Sequence, residues 1–177
     1  MKFVSDIRLL ILGLWLGAAV FFIGVAQSAF AVLPQRELAG AVVGRSLSVL
    51  NYGGMGIAAV LIVTSLMAAA RINKFWLWVE RVLLLLLGAS CVVGQFVIGF
   101  WIASVKAQMG KPIDEVAADD PLRAQFEMLH EYSVWVLFAG MVAALLTFFI
   151  ISNRKFRDAA PVAKSNDIYD FSKEFKV

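Results

Sequence analysis

The chain has 177 residues, of which 61% are hydrophobic and 16% are charged, and its mean hydropathy is +0.82. Soluble domains contain about 45–50% apolar and about 25% charged residues, so this composition excludes a soluble globular protein. It also excludes a disordered chain, and the single cysteine excludes a disulfide-rich module. The net charge of +3 is explained below by where the basic residues lie.

Four stretches are long and apolar enough to cross a bilayer. One crossing needs about 20 apolar residues, and a backbone in hydrocarbon must satisfy its own hydrogen bonds, which favours helices. The stretches cover about residues 9–33, 47–70, 82–105 and 132–151. The first is longer than the core of a secretory signal, about 7–15 residues, so we expect it to be retained. We therefore predict an all-α integral membrane fold, a four-helix transmembrane bundle formed by residues 1–152.

Local signals predict where some of these helices begin, end or pack. Pro34 directly follows the first stretch and predicts its end. Asp120 followed by Pro121 is a helix-start signature, so the fourth helix is expected to begin outside the membrane. A cluster of glycines in the second stretch permits a kink or a close helix contact, at Gly53, Gly54 and Gly56.

The distribution of lysine and arginine predicts the orientation in the membrane. Eleven of these residues fall on the side of the N-terminus and five on the other side. Cytoplasmic loops carry the excess of positive charge, so both termini are predicted to be cytoplasmic, in a cytoplasmic (inner) membrane. Residues 153–177 form a charged cytoplasmic tail, with candidate partner contacts at Ile168, Tyr169, Phe171 and Phe175. The pI of about 9.2 thus reflects orientation in the membrane, and no nucleic-acid partner is needed to explain it.

Small residues recur at helical spacing in the first and third stretches. Such stripes let helix backbones approach closely where lipid supplies no hydrophobic driving force. We interpret them as packing faces of one bundle, with dimerisation or contact with a cofactor as the alternative. The candidate packing residues are Gly13, Gly17, Gly24, Gly88 and Gly99.

Polar residues concentrate in the half of the predicted bundle that lies away from the termini. Polar groups within a span tend to face the bundle interior or a water-filled cavity. We therefore expect a polar pocket that opens to the outside of the cell, formed by Gln27, Arg45, Asn51, Gln95, Glu127, His130 and Ser133.

His130 is the only histidine, and several interpretations of it stay open. The simplest is a histidine hydrogen-bonded across helices near the membrane interface, where contact with Glu127 would favour its protonated form. Alternatives are a proton or metal role and ligation of a porphyrin or chlorin-type pigment. The cofactors that we consider are lipid or, if the chain belongs to a photosynthetic complex, (bacterio)chlorophyll or carotenoid. No metal site is predicted, because zinc or copper would need additional His or Cys ligands.

No motif for catalysis stands out in the sequence. Phosphate-binding loops, nucleophile motifs and paired catalytic carboxylates are all missing, so we predict no catalytic residues and no enzymatic activity. Glu80 and Arg81 are adjacent and therefore do not face each other on a helix. We interpret both as side chains that reach from the membrane interface to water.

Three strings resemble one family. They are LWLGAAVFF at 14–22, LPQRELAGAVVG at 33–44 and FEMLHEYSV at 126–134. They resemble the four-helix membrane domain shared with transmembrane protein 205, a DUF4149-like family of unknown function. The resemblance covers about residues 8–152. It implies a four-helix integral membrane fold and no particular activity.

The function expected from these observations is that of a small, non-catalytic integral membrane protein. We predict an accessory or structural subunit of a larger complex of respiratory or photosynthetic type, in contact with membrane lipids and other integral membrane subunits. One alternative is a small transporter or channel that uses the pocket around His130. A further alternative is a pigment- or lipid-binding membrane protein.

Overall fold

The computed structural model describes residues 2–67 and 74–153, and within these ranges all regular structure is helical. The four long helices are α1 (Lys2–Val32), α2 (Arg36–Met67), α3 (Lys74–Met109) and α4 (Pro121–Ser152). Each contains a segment long and apolar enough to cross a membrane, which confirms the predicted four-helix architecture. The candidate partner contacts of the tail, Ile168, Tyr169, Phe171 and Phe175, lie outside the described residues.

The helix ends follow the local sequence signals. α1 ends just before Pro34, which cannot continue a helix because it has no N–H to donate. The side chain of Asp120 accepts a hydrogen bond from the backbone N–H of Leu122 at 2.8 Å, so it caps α4 as predicted. α3 ends at Gly110, which adopts the left-handed conformation with φ 62°. This conformation favours glycine because a Cβ would be strained there.

The helices are longer than the predicted spans. They contain 31, 32, 36 and 32 residues. At about 1.5 Å per residue even α1 is roughly 46 Å long, whereas the hydrocarbon layer of a bilayer is about 30 Å thick. The additional residues lie at the beginnings of α1, α2 and α4, at 2–8, 36–46 and 121–131, and at both ends of α3. Each helix is therefore longer than the apolar layer is thick.

The four helices form a ring in chain order. α1 packs against α2 and α4, α3 also packs against α2 and α4, and α1 and α3 lie diagonally across the bundle. We call the end of the bundle where α1 and α3 begin the terminal end. The opposite end, which carries the short 3-10 helix Ile113–Glu115, is the loop end.

The centre of the bundle is closely packed. Leu12, Leu61, Leu84 and Leu87 are fully buried there. Close packing also explains one glycine of the cluster in α2, because a Cβ at Gly54 would lie 2.5 Å from Cys91 Sγ and 2.8 Å from Trp15 Nε1. Gly54 thus lets α1, α2 and α3 approach one another.

α3 is interrupted by a short π-helical segment, Val93–Ile98. The N–H of Gly99 donates to the carbonyl of Gly94, five residues earlier, instead of to the carbonyl four residues earlier. Single π-helical turns inside α-helices occur frequently at functional sites. The segment lies next to the polar cavity described below.

Candidate functional site

A buried ion pair joins two diagonal helices at the terminal end of the bundle. Arg8 of α1 donates from Nη2 to Glu80 Oε1 of α3 and, at 2.9 Å, to the backbone carbonyl of Leu61 on α2. Arg8 is 3% exposed and Glu80 is 0% exposed. Because buried charges are stable only when paired and hydrogen-bonded, this contact fixes three helices to one another.

A second cluster of polar contacts flanks the ion pair. Arg81 Nε donates to Ser65 Oγ and Arg81 Nη2 to the carbonyl of Ser65, both at 3.1 Å. The interpretation of Glu80 and Arg81 as side chains that reach to water is therefore wrong for Glu80, which is fully buried. The reason is that α1 brings a counter-charge, Arg8, into the interior of the bundle at its terminal end. The sequence contained a usable signal, since Arg8 and Glu80 each lie six residues after the start of parallel helices and thus at a similar depth.

The predicted polar pocket does not form as one pocket. Of its seven residues, Gln27, Arg45, Glu127 and His130 are exposed on the outside of the bundle. On α4 the physical reason is which face of the helix turns inward. The inward face includes Leu129 and Gly140, and Glu127 and His130 lie on other faces and point away from the centre.

The exposed residues of α4 contact their own helix. The ring of His130 stacks on Phe126, with 6.5 Å between the ring centroids. Glu127 Oε1 accepts a hydrogen bond from Arg123 Nε at 3.2 Å, so the expected contact between Glu127 and His130 is replaced by an ion pair one turn earlier. His130 is thus a surface residue on the outside of the bundle. In the described residues no three His, Cys, Asp or Glu side chains come together as metal ligands.

Two residues of the predicted pocket do share a cavity in the bundle centre. Asn51 is 4% exposed, and it lines a cavity of about 10 Å³ together with Ser133. Gln95 is half-buried in the neighbouring π-helical segment of α3. The cavity is enclosed by residues of all four helices, and Asn51 is its most deeply buried polar side chain.

An open groove runs along the outside of α1 in the middle of the helix. It has a volume of about 650 Å³, and its eight lining residues are all apolar or glycine: Leu9, Leu10, Gly13, Leu14, Gly17, Ala18, Phe21 and Phe148. Seven of them belong to α1, and Phe148 of α4 forms the wall on one side. Gly13 and Gly17 have no side chain and Ala18 has a small one, so the backbone of α1 is accessible from outside at these positions.

The candidate packing glycines divide into two groups. Gly88 packs against Ala58 of α2, and Gly13 lies close to Phe148. Gly17 and Gly24 have no atom of another residue near the position of a Cβ, and Gly99 approaches only its own helix at Gly94. The prediction that Gly17, Gly24 and Gly99 pack within the bundle is wrong. α1 turns a different face inward, formed by Leu12, Trp15, Ala19 and Phe22.

Comparison with protein families gives a match over α1, α2 and α3. Residues 10–111, more than half of the chain, match the family model described as a domain of unknown function (DUF4149). The chain belongs to the DUF4149 family. The DUF4149 match contains Asn51, Gly54 and Glu80, and it ends two residues after α3, so that α4 with His130 lies outside it. No curated protein and no solved structure matches the chain.

With four helices able to cross a membrane, the chain is a small multi-pass membrane protein of the DUF4149 family.

Proposed function

We propose that this DUF4149 protein is a non-catalytic membrane subunit that binds a transmembrane helix of another protein through the outer face of α1. The observation that carries the proposal is the open groove over Gly13 and Gly17. Lipid tails and a partner helix would both find an apolar surface in this groove. The glycines at its base favour a helix, because helix backbones approach each other closely where one of them carries glycine.

The low burial of α1 supports a partner on this face. In its most apolar stretch only 17% of the residues are buried inside the bundle, compared with 33% for α4. Gly17 and Gly24 have open space where a Cβ would lie. Glycine in a helix interior costs roughly 1 kcal/mol relative to alanine. Close approach of a second helix would offset this cost.

We place the protein in the cytoplasmic membrane with both termini in the cytoplasm. The excess of lysine and arginine on the terminal side supports this orientation. The host that we propose is a larger membrane complex of respiratory or photosynthetic type, in which small helical subunits pack around a core of other helices.

We favour this function over that of a small transporter. Four of the seven residues of the predicted pocket lie on the outside of the bundle. The cavity that holds Asn51 and Ser133 has a volume of about 10 Å³, which corresponds to one water molecule. A transporter would need a wider passage through the bundle than this cavity provides.

The test is purification from native membranes in a mild detergent, with Gly17→Leu compared with Gly56→Leu. Gly56 is the matched control, because it is an exposed glycine in the middle of α2 and also has no atom near the position of a Cβ. We expect the unmodified protein and the Gly56→Leu variant to migrate with a large complex. The Gly17→Leu variant should be recovered mainly as free protein, because the leucine fills the groove.

Two results would reject the proposal. One is recovery of the unmodified protein only as a free monomer or homodimer. The other is a large complex that survives Gly17→Leu as well as it survives Gly56→Leu. Mass spectrometry of the co-purified chains identifies the host and decides whether it belongs to an electron-transfer complex.

A further inference from the structure

The cavity in the bundle centre contains a polar side chain that has no hydrogen-bond partner among the described residues. Asn51 is 4% exposed, and its carboxamide makes no hydrogen bond to any residue in the described ranges. It lies against the π-helical segment, where a Cβ at Gly94 would be 3.4 Å from Asn51 Nδ2. A buried amide in a membrane protein is costly unless it is hydrogen-bonded, so a further group is expected at this position.

The neighbouring donors are already used within the protein. Ser90 Oγ donates to the carbonyl of Leu87 at 2.8 Å, and Ser133 Oγ donates to the carbonyl of His130 at 2.8 Å. A hydroxyl oxygen that donates one hydrogen bond can still accept others. The cavity thus presents one amide donor, Asn51 Nδ2, and two hydroxyl oxygens that act as acceptors. A group that fits these side chains both accepts a hydrogen bond from the amide and donates one to a hydroxyl oxygen.

The size of the cavity limits that group to a single heavy atom. A volume of about 10 Å³ is close to the lower limit for one water molecule. Cavities that stay dry are lined by apolar groups alone, whereas the lining of this one includes one amide and two hydroxyls besides its apolar residues. A hydrated ion or a pigment is too large.

We propose that this cavity is a binding site for one structural water molecule. The water accepts a hydrogen bond from Asn51 Nδ2 of α2 and donates to a serine hydroxyl oxygen, Ser90 of α3 or Ser133 of α4. It joins helices across the ring, next to the π-helical segment of α3. This site lies in the bundle interior and is independent of the groove on α1.

The site is testable by NMR on the full chain, labelled with nitrogen-15, in deuterated detergent micelles. We expect cross-peaks at the water frequency from the side-chain amide of Asn51 and from Gly94, with the sign of a long-lived water in both NOE and ROE spectra. The side chain of Asn153, which is exposed and donates to the carbonyl of Phe149, is the control. It should show only exchange with bulk water.

Substitutions identify the partners of the water. Asn51→Leu should abolish the cross-peak at Gly94, and either Ser90→Ala or Ser133→Ala should weaken it. Absence of a long-lived water cross-peak at Asn51 in the unmodified protein would overturn the proposal. An unchanged Gly94 cross-peak in both serine variants would also overturn it. These two readouts remain decisive if the Asn51→Leu variant does not fold.

Discussion

Arg8 and Glu80 form the only ion pair with both partners buried among the described residues. Removing a charge from water is expensive, and the attraction between two buried charges repays this cost only with good geometry and further hydrogen bonds. The carbonyl of Leu61 supplies one such bond. The pair as a whole therefore contributes little to the free energy of unfolding. Removal of either charge alone is costly, because the other charge stays buried without its partner.

Loss of one charge should destabilise the protein more than loss of both. We expect Glu80→Gln to lower the free energy of unfolding by about 3–5 kcal/mol, because Arg8 would stay buried without its counter-charge. The double variant Arg8→Met/Glu80→Leu should recover most of this loss, because it removes both charges and fills the space. Reversible unfolding in micelles, followed by tryptophan fluorescence, measures these differences.

An exposed ion pair provides the control for this experiment. Glu127 pairs with Arg123 on the surface of α4, and exposed pairs of this kind contribute about 0.3–0.5 kcal/mol. Glu127→Gln should therefore change the free energy of unfolding by less than about 1 kcal/mol. If Glu80→Gln has an effect as small as that of Glu127→Gln, the buried pair does not hold the terminal end together.

The contact between α1, α2 and α3 depends on the absence of a side chain at Gly54. We expect Gly54→Ala to lower the free energy of unfolding by about 1–3 kcal/mol, the usual cost of overfilling a packed core. Gly56→Ala should instead raise it by up to about 1 kcal/mol, because alanine favours the helix and nothing lies near this position. Thermal unfolding of the two variants in the same detergent measures the difference. Equal effects would show that Gly54 is not a contact residue.

Element positions were predictable from the sequence, but the inward faces of the helices were not. Long apolar runs decide where helices cross a membrane, and Asp120 and Pro34 mark helix ends by local chemistry. The faces are hidden because lipid-exposed and buried side chains are equally apolar. Phe21 is exposed and Phe22 is buried, although both are phenylalanine. For the same reason the sequence misplaced Gly17, whereas His130 was misplaced because the inward face of α4 runs through its neighbour Leu129.

The buried ion pair was missed for a different reason. Arg8 and Glu80 lie 72 residues apart, and each one alone fits a charged flank of an apolar stretch. Only the packing of α1 diagonally across from α3 brings them together. Equal depth of opposite charges on parallel helices is the one signal that the sequence offers for such a contact.

The orientation of the whole protein in the membrane can be measured directly. We predict that a cysteine introduced at Asp114, in the 3-10 helix of the loop end, reacts with a membrane-impermeant maleimide in intact cells. A cysteine at Asn153, after the end of α4, should react only after permeabilisation. Both sites are exposed, whereas the native Cys91 is buried. The reverse labelling pattern would contradict the orientation predicted from lysine and arginine.

The bundle packs an apolar core inside and leaves the groove of α1 open on its outer face. The central claim is that another transmembrane helix occupies this groove, and photocrosslinking in native membranes tests it most directly. A photoreactive amino acid at Gly17 should give one discrete adduct with a second membrane protein, whereas the same group at Gly56 should give none. No adduct at Gly17, or the same adducts at both positions, would contradict the account.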